Sequence, residues 1–430
     1  MTDGLCTRCG TCVGLGAGRV AFDDRAGRHL PRIVDRLSET QAERIWSGCS
    51  AQDVSLPELT QSVFGDHASR DPYLGHTRLL AIGHGTDETI RTRGSSGGIL
   101  TSVLLWLLET NEIQGTIVTG MDASEPWRPR TFIATTAREI VEAAQSKYII
   151  TSVNEILPEM ERFDGALAYV GLPCQVHSIR KLQQAGDPSV KRLKYVLGPY
   201  CGNTLYFSSI RSLLASHGMR DYREIESLRF RDGEWPGNLR VRLRSGAVID
   251  MPKFHANYLI PFHIMKRCLV CTDLSNELTD LSGGDAWSPV YEDRGKGFSI
   301  VVGRSELGVR CLQQMEAAGR IRLLPIEAEE AIRMHTHGYD LKKRGAFIRL
   351  GIWRLLGREV PDYGYRLGGF PASRYALELV ISALFGLLGS APARWLLERI
   401  SPRLLGKIFV RLRTVWKRTT CGIKVHELRS

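Results

Sequence analysis

Apolar residues are sparse and irregular up to about residue 70, and from Thr77 they settle into alternating runs. Thr77–Ile82 reads as a short strand and Ile99–Glu109 as a largely apolar helix. Gly115–Gly120 and Arg130–Thr135 read as strands, Arg138–Gln145 and Val153–Glu161 as helices. Ala166–Val170 is a buried strand, Gln175–Gln184 a helix and Leu193–Leu197 a strand. The alternation predicts an α/β domain.

Beyond Leu205 strands follow one another more directly. Leu239–Leu243 and Ala247–Met251 flank Ser245-Gly246, a hairpin signal. Phe298–Val302, a helix over Ser305–Ala318 and Ile321–Leu324 restore the αβ rhythm. The predicted fold is therefore α/β (α+β), with a small N-terminal module, a core of two lobes and a helical tail. The boundaries fall at 1–72, 73–203, 204–345 and 346–430.

The tail has two distinct patterns. Leu379–Ala393 carries no charge but is 15 residues long. A spanning helix needs about 20, and Gly386, Gly389 and Pro392 interrupt this run. In Leu404–Arg418, Leu404, Leu405, Ile408, Phe409, Leu412, Val415 and Trp416 share one arc of a helical wheel. Arg403, Lys407, Arg411, Arg413, Lys417 and Arg418 share the opposite arc. This basic amphipathic helix either lies on an anionic membrane or acidic partner, or packs on the protein's own core with a solvated basic face.

Charge sharpens this division. The formal net charge is +11 over the 430 residues, yet 14 Lys/Arg against 5 Asp/Glu after residue 350 account for +9 of it. The main body is nearly neutral. With the basic charge in one helix and no interleaved stacking aromatics, a nucleic-acid role is excluded. The N-terminus shows no signal-peptide pattern, which predicts the cytoplasm, at the inner membrane face if the tail docks there. Ten cysteines in a reducing compartment point to metal or redox chemistry.

Cys6, Cys9 and Cys12 form C-x2-C-x2-C, a spacing that wraps three thiolates around one face of an iron–sulfur cube. Gly16-Ala17 stands where ferredoxins place the fourth Cys and a Pro, so Cys49 is assigned as the fourth ligand. Thiolates also suit tetrahedral zinc, which is the alternative. A second group joins Cys174, at a helix start after a buried strand, Cys201, after another strand, and the pair Cys268 and Cys271. Each alone reads as a buried structural thiol; together they make a four-thiolate site. Cys311 and Cys421 are read as ordinary residues.

Arg91–Gly98 precedes the helix at Ile99, where Ser N-caps and glycines make either an anion cradle within reach of Arg91 and Arg93 or an ordinary capped helix start. Gln145–Tyr148 and Ser282–Asp285 read as turn-like polar segments. No GxGxxG or Walker A loop is present.

These pieces, in this order, resemble the beta-subunit family of coenzyme F420 hydrogenases and dehydrogenases, and the related reductases of 7-hydroxymethyl chlorophyll and divinyl chlorophyllide. The resemblance rests on Cys6–Cys12, Arg93–Gly98, Gln145–Tyr148, Gly171–Gln175, Cys201-Gly202, Cys268–Cys271 with Asp273, and Gly283–Asp285, over about residues 1–320. It implies an oxidoreductase holding FAD and one or two 4Fe–4S clusters. Such a protein passes electrons between ferredoxin, or another electron-transfer protein, and a two-electron small-molecule acceptor such as the deazaflavin. It implies that Arg93, Ser95, Ser96, Gly97 and Gly98 belong to the flavin site. Lys147 would place a cation near the ring, and Gly283, Gly284 and Asp285 would line the same cleft. Bacterial members resemble surface-polysaccharide gene-cluster proteins, which leaves a second reading: a membrane-peripheral scaffold for polysaccharide assembly with structural metal sites.

Overall fold

The computed structural model describes residues 4–24, 28–292 and 295–420. Thirteen strands follow in chain order. β1 (Val20–Asp23) and β2 (Leu30–Ile33) form an N-terminal hairpin. Next come β3 (Leu79–Gly85), β4 (Gly115–Met121), β5 (Pro129–Ala134), β6 (Leu167–Val170) and β7 (Leu193–Pro199). β8 (Ile225–Asp232), β9 (Asn238–Leu243) and β10 (Val248–Pro252) make a separate antiparallel sheet. β11 (Leu281–Asp285), β12 (Ser299–Gly303) and β13 (Ile321–Pro325) return to the main one.

The main sheet has eight strands in the order β13-β3-β12-β11-β7-β6-β4-β5. Its centre, β4-β6-β7-β11, is parallel, and antiparallel strands flank it on both sides. Strands buried on both faces read as short continuous apolar runs, which is why Gly115–Gly120 and Ala166–Val170 were visible in the sequence. Helices Ile99–Glu109 and Glu306–Ala317 cover one face together with Leu104, Leu107, Cys311 and Leu312. Helix Pro173–Gln184 covers the other through Val176, Ile179 and Leu182.

Two expectations are corrected. The sheet takes strands from both sides of residue 203, so the segments 73–203 and 204–345 share one sheet; only β8–β10, on its own core of Leu228, Val241 and Ile249, stands apart from it. Ser282–Asp285 is not a turn but part of central strand β11. Its glycines are set by packing: a Cβ on Gly284 would stand 2.6 Å from the Tyr200 ring. A segment chosen for close packing carries no hydrophobic run to announce it.

The tail is helical at Ala372–Leu388, Ala391–Leu397 and Pro402–Thr420. The side chains of Trp416, Lys417 and Arg418, and Cys421 altogether, lie outside the described residues.

Candidate redox site: two four-thiol cavities

β6 and β7 are parallel neighbours, so their carboxyl ends lie side by side, where ligands gather in open α/β sheets. Cys174 follows β6 as the second residue of helix Pro173–Gln184, and Cys201 follows β7. The Cys201 N–H donates to Leu274 O at 2.8 Å, tying β7 to the segment after Cys271. Cys174, Cys201, Cys268 and Cys271 line one recess of about 560 Å3, mouth included, with Thr7, Asp273 and Lys342 on its wall. Cys6, Cys9, Cys12 and Cys49 line a second, smaller one of about 290 Å3. The two predicted groupings of cysteines are thus each brought together. Among the described residues every cysteine is free.

The first set needs its glycine. Gly10 adopts φ +93°, and a Cβ there would lie 2.7 Å from Glu155 N and Ser152 O. Cys9 Sγ has Thr11 Oγ1 at 3.2 Å and Ser178 Oγ at 3.5 Å. Thr7 lines both recesses, and the Cys9 charge acts on the Cys174 thiol, so the two sets are neighbours.

Burial governs the thiols. It pushes Cys6 up to about 11 and raises Cys12 and Cys49. In the second set it raises Cys174 and Cys268, and pushes Cys201 up to about 12, with the neighbouring thiols adding to the effect at each. Four buried thiols cannot ionise side by side unless positive charge sits among them. A four-thiol donor set around a recess fits an iron–sulfur cube, which offers each thiolate its own iron and releases the protons on binding. One metal ion instead requires ligands converging on a point; among the described residues no three His, Cys, Asp or Glu side chains do so.

The second set also has a buried support that sequence reasoning missed. Lys342 sits in a π-helical turn, Asp340–Gly345, and its Nζ donates to Cys268 O at 3.4 Å. Burial alone would strip its proton, but the charges of Cys271, Cys268 and Cys201 hold it above the ordinary lysine range. Asp273 accepts from His177 Nε2 at 2.9 Å and from the N–H groups of Asn276 and Glu277. Burial would raise this carboxyl, but the His177 bond and charge, the Lys343 charge and the Glu277 N–H together hold it below the ordinary range. Arg267 Nη2 donates to Ser50 O at 3.1 Å, linking this wall to the residue after Cys49. No local signal marks Lys342: Lys342-Lys343-Arg344 reads as a solvated basic run, yet Lys342 and Lys343 are buried.

The segments expected at the flavin also meet. Ser95 Oγ accepts from Ser146 N at 2.7 Å, and Ser96 Oγ lies 2.6 Å from Ser299 Oγ. Gly97 N donates to Ser299 Oγ, and a Cβ on Gly97 would stand 2.5 Å from Gly83 O. The helix N-cap is Gly98 at φ +74°, not a serine as expected, because both serines are engaged elsewhere. Arg93 is exposed, whereas Arg91 is buried and donates to Gly297 O. Asp285 is paired bidentately with Arg231, at 3.0 and 3.2 Å, and Arg231 also donates to Tyr148 Oη at 2.9 Å. Gly283 lies beside it in β11. Segments 93–98 and 145–148 touch directly, and 145–148 reaches 283–285 through Arg231.

Lys147 caps a helix end rather than pointing at open space: its Nζ donates to the carbonyls of Ala143, Ala144 and Gln145. Burial lowers it to about 7. It is charged below that pH and neutral above, whereas the unfolded chain keeps the proton to the ordinary lysine range. Stability therefore rises with pH between about 7 and that range. Heteronuclear NMR of labelled lysines should show one amine titrating near pH 7 that Lys147→Met removes; the absence of such a signal would contradict the assignment.

A mixed α/β sheet with Cys174 and Cys201 at the carboxyl ends of β6 and β7, and a second four-thiol set beside them, is the setting of an oxidoreductase. The chain belongs to the coenzyme F420 hydrogenase/dehydrogenase beta-subunit family: the family's N-terminal part matches residues 81–158 and its C-terminal part residues 164–329. It is 29% identical over 265 residues to the coenzyme F420 hydrogenase subunit beta of Methanosarcina barkeri, covering 60% of this chain and 85% of that one. It is 24% identical to the coenzyme F420-dependent sulfite reductase of Methanocaldococcus jannaschii, over 79% of this chain but only about half (51%) of that protein's length. A chain of the F420-reducing NiFe hydrogenase complex of Methanosarcina barkeri shares the fold, with TM-score 0.54, 23% identity, and coverage of 68% of this chain and 98% of that one.

Proposed function

We propose that the protein is an iron–sulfur flavoprotein subunit that passes electrons between an electron-transfer protein, such as a ferredoxin, and a two-electron small-molecule acceptor of the F420 type. The observation that carries this reading is the pair of four-thiol recesses meeting at Thr7. Cys6, Cys9, Cys12 and Cys49 would hold one 4Fe–4S cluster, and Cys174, Cys201, Cys268 and Cys271 the other. FAD would lie against Arg93–Gly98, Lys147 and Gly283–Asp285. When bound, clusters supply single electrons and the flavin stores two, so one-electron and two-electron partners are matched.

The chain's own residues have definite parts in this. Lys342 offsets the negative charge that four thiolates bring into a buried recess. Asp273 and His177 fix the loop after Cys271. Arg231 holds Asp285 and Tyr148 in fixed orientation at the end of β11. The cytoplasm is the compartment in which such thiols remain available for iron.

Purified without oxygen, the protein should be brown, with about eight iron and eight sulfide per chain, and should release FAD on denaturation. A colourless protein containing zinc and no flavin would overturn the proposal and favour the scaffold reading.

A further inference from the structure

The three tail helices present an exposed face that lines neither thiol recess. Helix Ala372–Leu388 is fastened inward by buried Arg374 and Glu378. Phe385, Leu397, Leu405 and Phe409 pack on one hydrophobic cluster with β8–β10, so all three helices sit on the same core. Their outward sides are apolar. On the first helix Tyr375, Leu379, Val380, Leu384 and Leu387 are exposed, Leu387 by 66%. Their spacing is that of one helical stripe. Trp395 and Leu396 are exposed on the second.

Helix Pro402–Thr420 decides between the two readings of its amphipathic pattern. A helix that only covered its own core would bury the apolar arc. Here Leu405 and Phe409 turn inward, while Leu404, Ile408, Leu412 and Val415 remain exposed, Leu412 by 61%. Exposed Arg403, Lys407 and Arg411 run alongside this stripe. The acidic residues between 371 and 420 are Glu378 and Glu398. Both bond inward, Glu378 to Arg374 and Glu398 to Ser212 Oγ at 2.9 Å. The outward face is therefore apolar and cationic, without exposed acid.

We propose that this face docks on an anionic lipid bilayer, with the helices lying in the interface. Apolar stripes bordered by Lys and Arg match acyl chains beneath negatively charged headgroups. Among the described residues no single helix is long and apolar enough to cross, and the pair Ala372–Leu388 and Ala391–Leu397 is bent by 73°. A second copy of the chain would set one basic stripe against another, which disfavours self-association. None of the exposed tail residues lines either thiol recess, so the proposal stands or falls apart from the redox reading.

The test is flotation of the full-length protein, purified without oxygen, with vesicles of phosphatidylcholine alone or containing about 30% phosphatidylglycerol. The protein should float with the anionic vesicles at least about tenfold better, and less well as salt rises from about 0.1 to 0.5 M. The double change Lys407→Gln and Arg411→Gln should weaken binding roughly 30-fold. Leu412→Ser should weaken it roughly tenfold. Circular dichroism and the thermal midpoint, unchanged in both variants, report that they fold. The proposal is overturned if the wild-type protein stays unbound with both vesicle types, binds both equally at all salt concentrations, or instead forms a dimer that Leu412→Ser dissolves.

Discussion

Replacing Cys201 with serine is expected to remove about half of the iron, from about eight to about four atoms per chain. Cys201 lines only the larger recess, whereas Cys6, Cys9, Cys12 and Cys49 line the other. The first set should load normally, because its ligands come from other segments. A hydroxyl is a poor substitute for a thiolate on iron, and loss of even an outer partner of a metal site costs 10–100-fold. Electron transfer to the acceptor should accordingly fall by at least about a hundredfold. Cys311 is the control. It is buried against Met315, lines neither recess, and Cys311→Ser should keep all the iron. Full iron in Cys201→Ser, or iron loss in Cys311→Ser, would dismantle the assignment of ligands.

The second large effect is on stability. Behind the larger recess lies a buried ionic network. Arg349 and Arg374 both donate to Glu378, and Arg374 also forks onto Asp340 at 2.9 and 3.2 Å. Arg349 donates to the carbonyl of Leu341, within the lysine turn, and to that of Leu269, within the Cys268–Cys271 segment. Burial lowers Arg349 and raises Asp340, so both charged forms depend on their partners. Glu378→Ala leaves two buried guanidinium groups facing one carboxylate. The expected cost is about 3–5 kcal/mol, read as a lower midpoint in thermal or denaturant unfolding. Changing Arg349→Met together with Glu378→Leu should recover part of the loss, since a buried pair replaced by apolar groups loses its desolvation cost as well. A Glu378→Ala protein as stable as wild type would show that the network contributes little.

How much of this was legible in the sequence depends on the range of the interaction behind each feature. The αβ alternation was visible because buried strands and amphipathic helices impose a period on neighbouring residues. Gly115–Gly120 became β4, Arg130–Thr135 overlapped β5 and Leu193–Leu197 fell within β7. The predicted helix Arg138–Gln145 came out shorter, as Ala137–Glu142, because Gln145 takes φ +79° and ends the run. Val153–Glu161 became a 3-10 turn followed by a short helix starting at Leu157. β8 went unread as a strand, since its burial alternates irregularly around two register shifts.

For the site, spacing placed Cys6, Cys9 and Cys12 together because a few residues of chain allow little else. The basic and apolar arcs of the last helix were equally local. Which half of that apolar arc would find a core, and which would stay outside, was settled by where β8–β10 came to lie. Lys342 faces Cys201 and Cys268 because a π-helical turn late in the chain packs behind the end of β7 and the short helix Lys266–Leu269. Asp285 meets Arg231 because β11 is inserted beside β7. Such partners are chosen by chain crossings over 50 residues or more, and no local period records them. The sequence by itself determined which residues have the chemistry and which segments have a regular face; only the tertiary structure decided which of them share a wall, because burial and proximity between distant segments exist only once the chain has packed.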